Sequence, residues 1–200
     1  MTAGHPIDYT RDLSQEKRDL IGTQLLRLTL EELFFWRFMQ TDPNWSNYLY
    51  CESLDQVSLI DFGACREFGP EFRDAYVGAV HACSTKDREK VHETSLAMGF
   101  LCGDEVPEMI NAHVDAALLI GEPFAKPGPF DFREQDITED IKHLTQIMLK
   151  HRLSPPPDEI YSLHRKLAGT FQTCVHLGAR VDCHRVFNEA YERLARQQGR

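Results

Sequence analysis

The stretch 41-TDPNWSNYLYCESLDQVSLIDFG-63 decides how this chain is read. It sets Asp42, Asn47 and Asp61 among bulky apolar residues, where burial is expected and an unpaired charge is costly. Asn47 to Tyr50 and Val57 to Ile60 are short β-prone runs, and the polar residues Glu52 to Gln56 between them carry turn chemistry, so the spacing predicts a hairpin. With Asn47 opening the first strand and Asp61 closing the second, both lie at the hairpin's open end. Asp42 sits on the loop that feeds the same end, so three polar side chains converge. Two ionised carboxylates about 6 Å apart repel by roughly 3 kcal/mol at an effective dielectric near 20. Either one of them stays protonated or a cation sits between them. Asp and Asn oxygens without His or Cys favour Mg²⁺ or Mn²⁺, and magnesium leaves the rest of its shell to substrate phosphates. A nucleotide, ATP in the first instance, is the companion that chemistry calls for.

Outward from this stretch the chain reads as helices. Residues 13 to 40 form one long apolar-rich pattern with Ser14 as N-cap, predicting a helix buried on most sides until Pro43 rules out continuation. Pro70 opens a helix to about Cys83, Lys86 to Met98 follows with Gly99 as its stop, and Pro107 opens another that ends near Gly121. The segment 121-GEPFAKPGPFDFREQD-136 reads as a long loop holding three phenylalanines, whose commonest fate is to close over a core. Ile137 to Arg152, Asp158 to Leu177 and Cys183 to Gln197 complete the set, separated by Ser154-Pro155-Pro156-Pro157 and by Gly178 and Asp182. The fold class is therefore mainly α with one small β-hairpin. Its organisation is a lead-in and buried helix over 1–40, a loop, hairpin and Asp-Phe-Gly over 41–69, and a helical body over 70–200.

Composition narrows the function classes. A formal charge of −9 and a pI near 5.4 argue against a nucleic-acid partner, because phosphate backbones need clustered Lys and Arg. No apolar run reaches the roughly 20 residues of a membrane span. Six scattered cysteines contain no CxxC pair, and Cys174, His176, Cys183 and His184 match no usual zinc spacing.

An Asp followed five positions later by Asn, then a hairpin, then Asp-Phe-Gly, is the order of a kinase active site. As plain structure the same residues read as an Asp-Pro turn, a strand-edge cap and a turn at a strand end. Arg66 reads as a phosphate partner or, more simply, a surface ion pair, and Trp45 as a packing residue.

The wording of the motifs goes further. FMQTDPNWSN followed by LIDFGACREF closely resembles the UbiB family of atypical kinases, the ADCK proteins, in the eukaryotic branch acting in coenzyme Q (ubiquinone) biosynthesis. FLCGDEVPEMINAHVDA, GEPFA, FDF and HRLSPPPDEIYSLHRKLAGTF carry the likeness along the chain. The resemblance implies a kinase-like C-terminal lobe in which Asp42 is the catalytic aspartate and Asn47 and Asp61 hold the metal of Mg-ATP. It implies ATPase activity in a mitochondrial, inner-membrane, matrix-side setting, with coenzyme Q biosynthetic proteins and lipid precursors as partners. Peripheral membrane contact and a homodimer stay open. Gln40-Thr41 stands where protein kinases have His-Arg, and only six residues separate Gly63 from Pro70, which leaves little room to dock a protein substrate. The family's KxGQ extension and Ala-rich loop do not occur, nor do GxGxxG or a VAIK-like strand, so the expectation is a lobe without its N-terminal partner and with weak turnover alone. Two alternatives remain: a non-catalytic helical scaffold or pseudoenzyme, and a small-molecule phosphotransferase of the aminoglycoside or choline kinase type.

Overall fold

The computed structural model describes residues 4–10, 12–133, 137–153 and 155–199. Helix α1 spans Gln15–Glu31, and Ser14 caps it by accepting the Lys17 N–H at 3.3 Å. The helix does not run to residue 40 as its apolar pattern predicts. It widens into a π-helical turn over Glu32–Trp36 and stops at Arg37, whose φ of 53° is left-handed. Phe38–Gln40 then leaves as a strand, β2. Trp36 and Phe38 are 58% and 43% exposed, so burial on most sides also fails at this end. The buried side of the helix is carried by Ile21, Leu25, Leu26 and Leu30.

The hairpin forms where the spacing placed it, as β3 (Tyr48–Cys51) and β4 (Gln56–Leu59), antiparallel with Tyr48 opposite Leu59 and Cys51 opposite Gln56. It forms two strands of a three-stranded sheet, because β1 (His5–Pro6) adds along β3 and leaves β4 at the other edge. A separate ladder joins β2 to β5 (Cys65–Glu67), with Gln40 opposite Cys65. The hairpin tip is tied to α1: Tyr50 Oη donates to Asp55 at 2.6 Å, Lys17 pairs with the same carboxylate, and Gln24 accepts from Val57 N–H while donating to the Asp55 carbonyl.

The body consists of α2 (Pro70–Ser84), α3 (Arg88–Ala97), α4 (Pro107–Ala125), α5 (Ile137–His151), α6 (Asp158–Leu177) and α7 (Cys183–Gln197). A two-stranded pair, β6 (Phe130–Asp131) with β7 (Arg180–Val181), closes its far side. Pro70 and Pro107 open their helices, Gly178 ends α6 in the left-handed conformation at φ 59°, and the Asp182 side chain caps α7. Two boundaries shift from the sequence reading. Asp87 caps α3, leaving Lys86 outside it at φ 57°, and α4 carries Pro123 in its last turn on the way to Ala125. Residues 134–136 of the expected loop lie outside the described residues.

The core forms where α1 crosses α6 and α7. Phe34 meets Phe187 edge-on at 6.1 Å, Phe124 lies 5.5 Å from the same ring, and Phe132 lies 5.2 Å from Phe171. Phe124, Phe130 and Phe132 are all buried, so the aromatic segment closes over this core instead of offering a surface. Among the described residues no helix is long and apolar enough to cross a membrane.

Two histidines, His113 and His164, set a pH dependence. His113 on α4 is 8% exposed and bonds Ser95 Oγ through Nε2 at 2.9 Å. Burial pushes its imidazole down to about 4, and the charge of Arg152 adds to the effect. In the unfolded chain the same ring protonates near 6.5, so between those values the unfolded state binds the extra proton. Stability is therefore full above about 6.5 and falls as the pH drops toward 4. From pH 7 to pH 5 the expected loss from His113 is about 2 kcal/mol, read as the difference between the unaltered chain and His113→Gln in urea unfolding at both values. An imidazole that titrates near its ordinary value by NMR would contradict this.

Candidate functional site

The two ladders hold the loop of interest from both ends. Thr41 N–H donates to the Ala64 carbonyl at 2.7 Å, one residue beyond the Gln40–Cys65 pair. Ile60 N–H donates to the Asn47 carbonyl at 3.0 Å, one residue beyond Tyr48–Leu59. Residues 41–47 and 60–64 thus run past each other as the two rims of one opening. Inside the first rim Pro43 stiffens the backbone, and Asn44 Oδ1 accepts from Ser46 N–H and Ser46 Oγ, which forms the 3₁₀ turn over Trp45–Asn47.

Asp42 and Asn47 are in contact. Asn47 Nδ2 donates to Asp42 Oδ2 at 3.0 Å and to the Asp42 carbonyl at 3.3 Å, with Asn47 buried and Asp42 half-buried. Asp61 stands on the opposite rim next to Ile60, and its Oδ1 accepts the Gly63 N–H at 2.7 Å. It is exposed, as are Phe62 and Gly63, because the chain leaves β4 on the open side of the sheet. The sequence reading, which set all three groups among buried apolar residues, is corrected here. Only the Asp42–Asn47 half is embedded, and the repulsion argument loses the extra weight that burial would have given it. Asp42 Oδ1, Asn47 Oδ1 and Asp61 Oδ2 accept no hydrogen bond from any described residue.

Beneath the loop lies a polar cluster that the sequence did not point to. Lys166 on α6 is 1% exposed, yet its Nζ donates to Tyr48 Oη at 2.6 Å and to Gln40 Oε1 at 3.3 Å. It also lies 3.2 Å from Glu32 Oε2, an ion-pair contact off the hydrogen-bonding angle. The other oxygen of Glu32 accepts the Gln40 N–H at 3.0 Å. Burial raises the Glu32 carboxyl and lowers the Lys166 ammonium, each opposed by the charge of the other. Burial also raises the Tyr48 phenol, and the charges of Glu32 and Asp42 raise it further. Glu32 comes from the π-turn, Gln40 from β2 and Tyr48 from β3, so one ammonium links α6 to both strands that flank the loop.

The same face of α6 grips the loop directly. Arg165 Nε donates to the Thr41 carbonyl at 3.1 Å, and Trp45 packs on His176 with ring centroids 4.0 Å apart. Gly169 lies under Pro43 so closely that an added Cβ would fall 2.0 Å from the proline Cβ. Arg66 is engaged with the start of this helix, 3.3 Å from Glu159 and bonded to Ser162 Oγ, which is the ion-pair outcome.

Residues 1–95 match the ABC1 atypical kinase-like domain. Across nearly its whole length the chain is similar to the mitochondrial atypical kinase COQ8B of Rattus norvegicus, 47% identical over 193 residues that cover 96% of this chain and 37% of that protein. It is 41% identical over 180 residues to the mitochondrial atypical kinase COQ8 of Saccharomyces cerevisiae, covering 89% of this chain and 36% of the yeast protein. The chain spans about a third of the length of these relatives. Among solved structures, Rv3197 of Mycobacterium tuberculosis, determined in complex with erythromycin, superposes with a TM-score of 0.71 at 20% identity over 95% of this chain and 48% of that one. That superposition agrees with a mainly α, kinase-like lobe.

Two substitutions test the support beneath the loop. Lys166→Met leaves the Glu32 carboxylate buried without its cation and is expected to cost roughly 3–5 kcal/mol in urea unfolding, most of it recovered by adding Glu32→Gln. Gly169→Ala drives a methyl group into Pro43 and is expected to cost about 1–3 kcal/mol, with amide shifts concentrated in residues 41–47. A Gly169→Ala protein of unchanged stability would mean that α6 does not brace the loop.

Proposed function

This chain belongs to the ABC1 family of atypical kinases, and from that premise we propose that residues 41–63 receive the phosphates of a magnesium–nucleotide complex, with ATP as the nucleotide. The observation that carries the reading is the set of three unengaged oxygens, Asp42 Oδ1, Asn47 Oδ1 and Asp61 Oδ2, on the two rims of one opening. Among the described residues no three His, Cys, Asp or Glu side chains cluster as a complete cation cage. Magnesium does not ask for one: it takes one or two protein carboxylates and leaves the remaining positions to phosphate and water. Asn47 and Asp61 are the residues that would hold it, and when bound it neutralises charge on the transferring phosphoryl group.

Within this reading Asp42 orients the attacking hydroxyl or water and accepts its proton at Oδ1. Its other oxygen is fixed by Asn47, so the base is held in one rotamer without a further partner. Asp61 is the adaptable side: its turn through Gly63 fixes one oxygen and leaves the second toward solvent, where a phosphate-bound cation is reached without desolvating a buried charge. The short stretch from Gly63 to Pro70 favours water or a small molecule over a protein as acceptor. From the names of its relatives we take the wider role to be that of a mitochondrial atypical kinase supporting coenzyme Q biosynthesis.

Titration calorimetry of Mg-ATP into this chain tests the assignment. We expect saturable binding that Asp61→Asn weakens by about tenfold or more, the scale of one charge-assisted contact. Asp42→Asn is expected to leave that affinity within about twofold while removing hydrolysis, because Asp42 serves the reaction rather than ground-state binding. Mg-ATP affinity that Asp61→Asn leaves untouched would overturn the site, and no binding to either protein would favour the helical-scaffold alternative.

A further inference from the structure

Away from the loop, the helices α2, α3, α4, α5 and α6 enclose a partly open cavity of about 250 Å³. None of residues 41–63 lines it. Its wall is mainly carbon, with Tyr76, Phe100, Phe124 and Leu167 among the larger contributors. Besides Thr94 and the hydroxyls of Tyr76 and Tyr161, the polar groups in that wall are Ser95, His113, His164 and Arg152.

These groups are not equivalent. Ser95 and His113 satisfy each other at 2.9 Å. His164 lies stacked on Phe100 with ring centroids 5.6 Å apart. Burial holds both imidazoles down at about 4, with the charge of Arg152 adding to it, so at neutral pH neither ring carries a charge. Arg152 is then the single charged group among the lining residues; the Glu105 carboxylate, near enough for its charge to act on His113, is taken up by the Cys102 and Gly103 N–H groups. Among the described residues its guanidinium makes no ion pair and no side-chain hydrogen bond, and its Nε is buried. A guanidinium whose Nε is cut off from water and given no acceptor is costly. Arg18 also has a buried Nε without a partner, but its other nitrogens reach the Leu177 carbonyl and Gln15 Oε1, whereas Arg152 has no such bond among the described residues.

We propose that this cavity is a binding site for a compact apolar molecule that carries one carboxylate, with the carboxylate on Arg152 and the apolar body among the side chains of α2, α4 and α6. The planar guanidinium fork matches a carboxylate in a bidentate fashion. A single cation facing two neutral rings balances a monoanion, whereas a phosphate dianion would bring a second charge that nothing in the wall answers. Size sets the class of body. An apolar cavity of about 150 Å³ takes benzene, so this one has room for a body of about ten non-hydrogen atoms, such as a medium-length acyl chain or a small ring system.

Octanoate and its neutral counterpart 1-octanol serve as probes, titrated by NMR into this chain at neutral pH. We expect octanoate to bind saturably at one site, shifting the amides of Ala117 and Ile120. Arg152→Gln is expected to weaken octanoate by about tenfold while leaving the weaker binding of octanol within about twofold, since only the charge-assisted contact is removed. Arg152→Lys keeps the charge but not the fork and is expected to fall between the two. Ala117→Phe, with its fold checked by circular dichroism, fills the space and removes binding of both probes. Octanoate affinity unchanged by Arg152→Gln, or no saturable binding to the unaltered chain, would overturn the proposal. Asp61→Asn should leave octanoate binding unaltered, so the outcome here is separable from that of the nucleotide site.

Discussion

Lys166 carries its amine into the interior of this lobe, and the arrangement of the opening follows from how that group is satisfied. A lone buried ammonium would not survive: it would lose its proton or unfold the region around it. The chain surrounds it with a carboxylate from the π-turn, an amide oxygen from β2 and a phenol from β3. Those three elements approach the ammonium together or not at all. The exact value of the ion pair in stability terms matters less than what it specifies, because a hydrophobic replacement could fill the volume without dictating which strands meet there. With Gln40 and Tyr48 fixed, the backbone between them has seven residues to span the gap, and Pro43, Asn44 and the Gly169 contact leave it little freedom.

The two rims of the opening are built to different standards of rigidity. Asp42 and Asn47 bond to each other, belong to a loop whose Thr41, Pro43 and Trp45 rest on α6, and sit at least partly out of water. Asp61 is held by one backbone N–H in an exposed turn. An active site that must both orient a reacting group and let a charged ligand enter and leave has use for that division. Under the proposed function, the rigid rim carries the group whose position affects the barrier, and the solvated rim carries the group that meets charge arriving from water.

Much of the helical body was legible in the sequence because its boundaries are chemical. Pro70, Pro107, Gly178, Asp182 and Ser14 each act through their own backbone or the nearest turn, so no tertiary knowledge is needed to read them. The hairpin was legible for the same reason. The end of α1 was not, since Arg37 adopts its left-handed turn without the glycine that usually announces one, and Phe38-Met39-Gln40 continues an apolar run that fits helix or strand equally well. Strands of two or three residues such as β1, β5 and β7 exist through their partners, which lie far away in sequence. Of the candidate site, the meeting of Asp42 with Asn47 could be read ahead, while the exposure of Asp61 could not, because Leu59, Ile60 and Phe62 around it look like core. Lys166 escaped notice for the opposite reason: a lysine on an amphipathic helix is ordinarily solvated, and nothing local marks the one that points inward.

The central claim is that Asp42, Asn47 and Asp61 serve one metal–nucleotide complex across two rims. Substituting Mn²⁺ for magnesium and recording paramagnetic broadening of the backbone amides, with ATP added in small amounts, tests it most directly. The account predicts that the signals of Asp42, Asn47 and Asp61 to Gly63 broaden together, before those of α3 or α5. Broadening confined to one rim, or centred on another part of the surface, would contradict it.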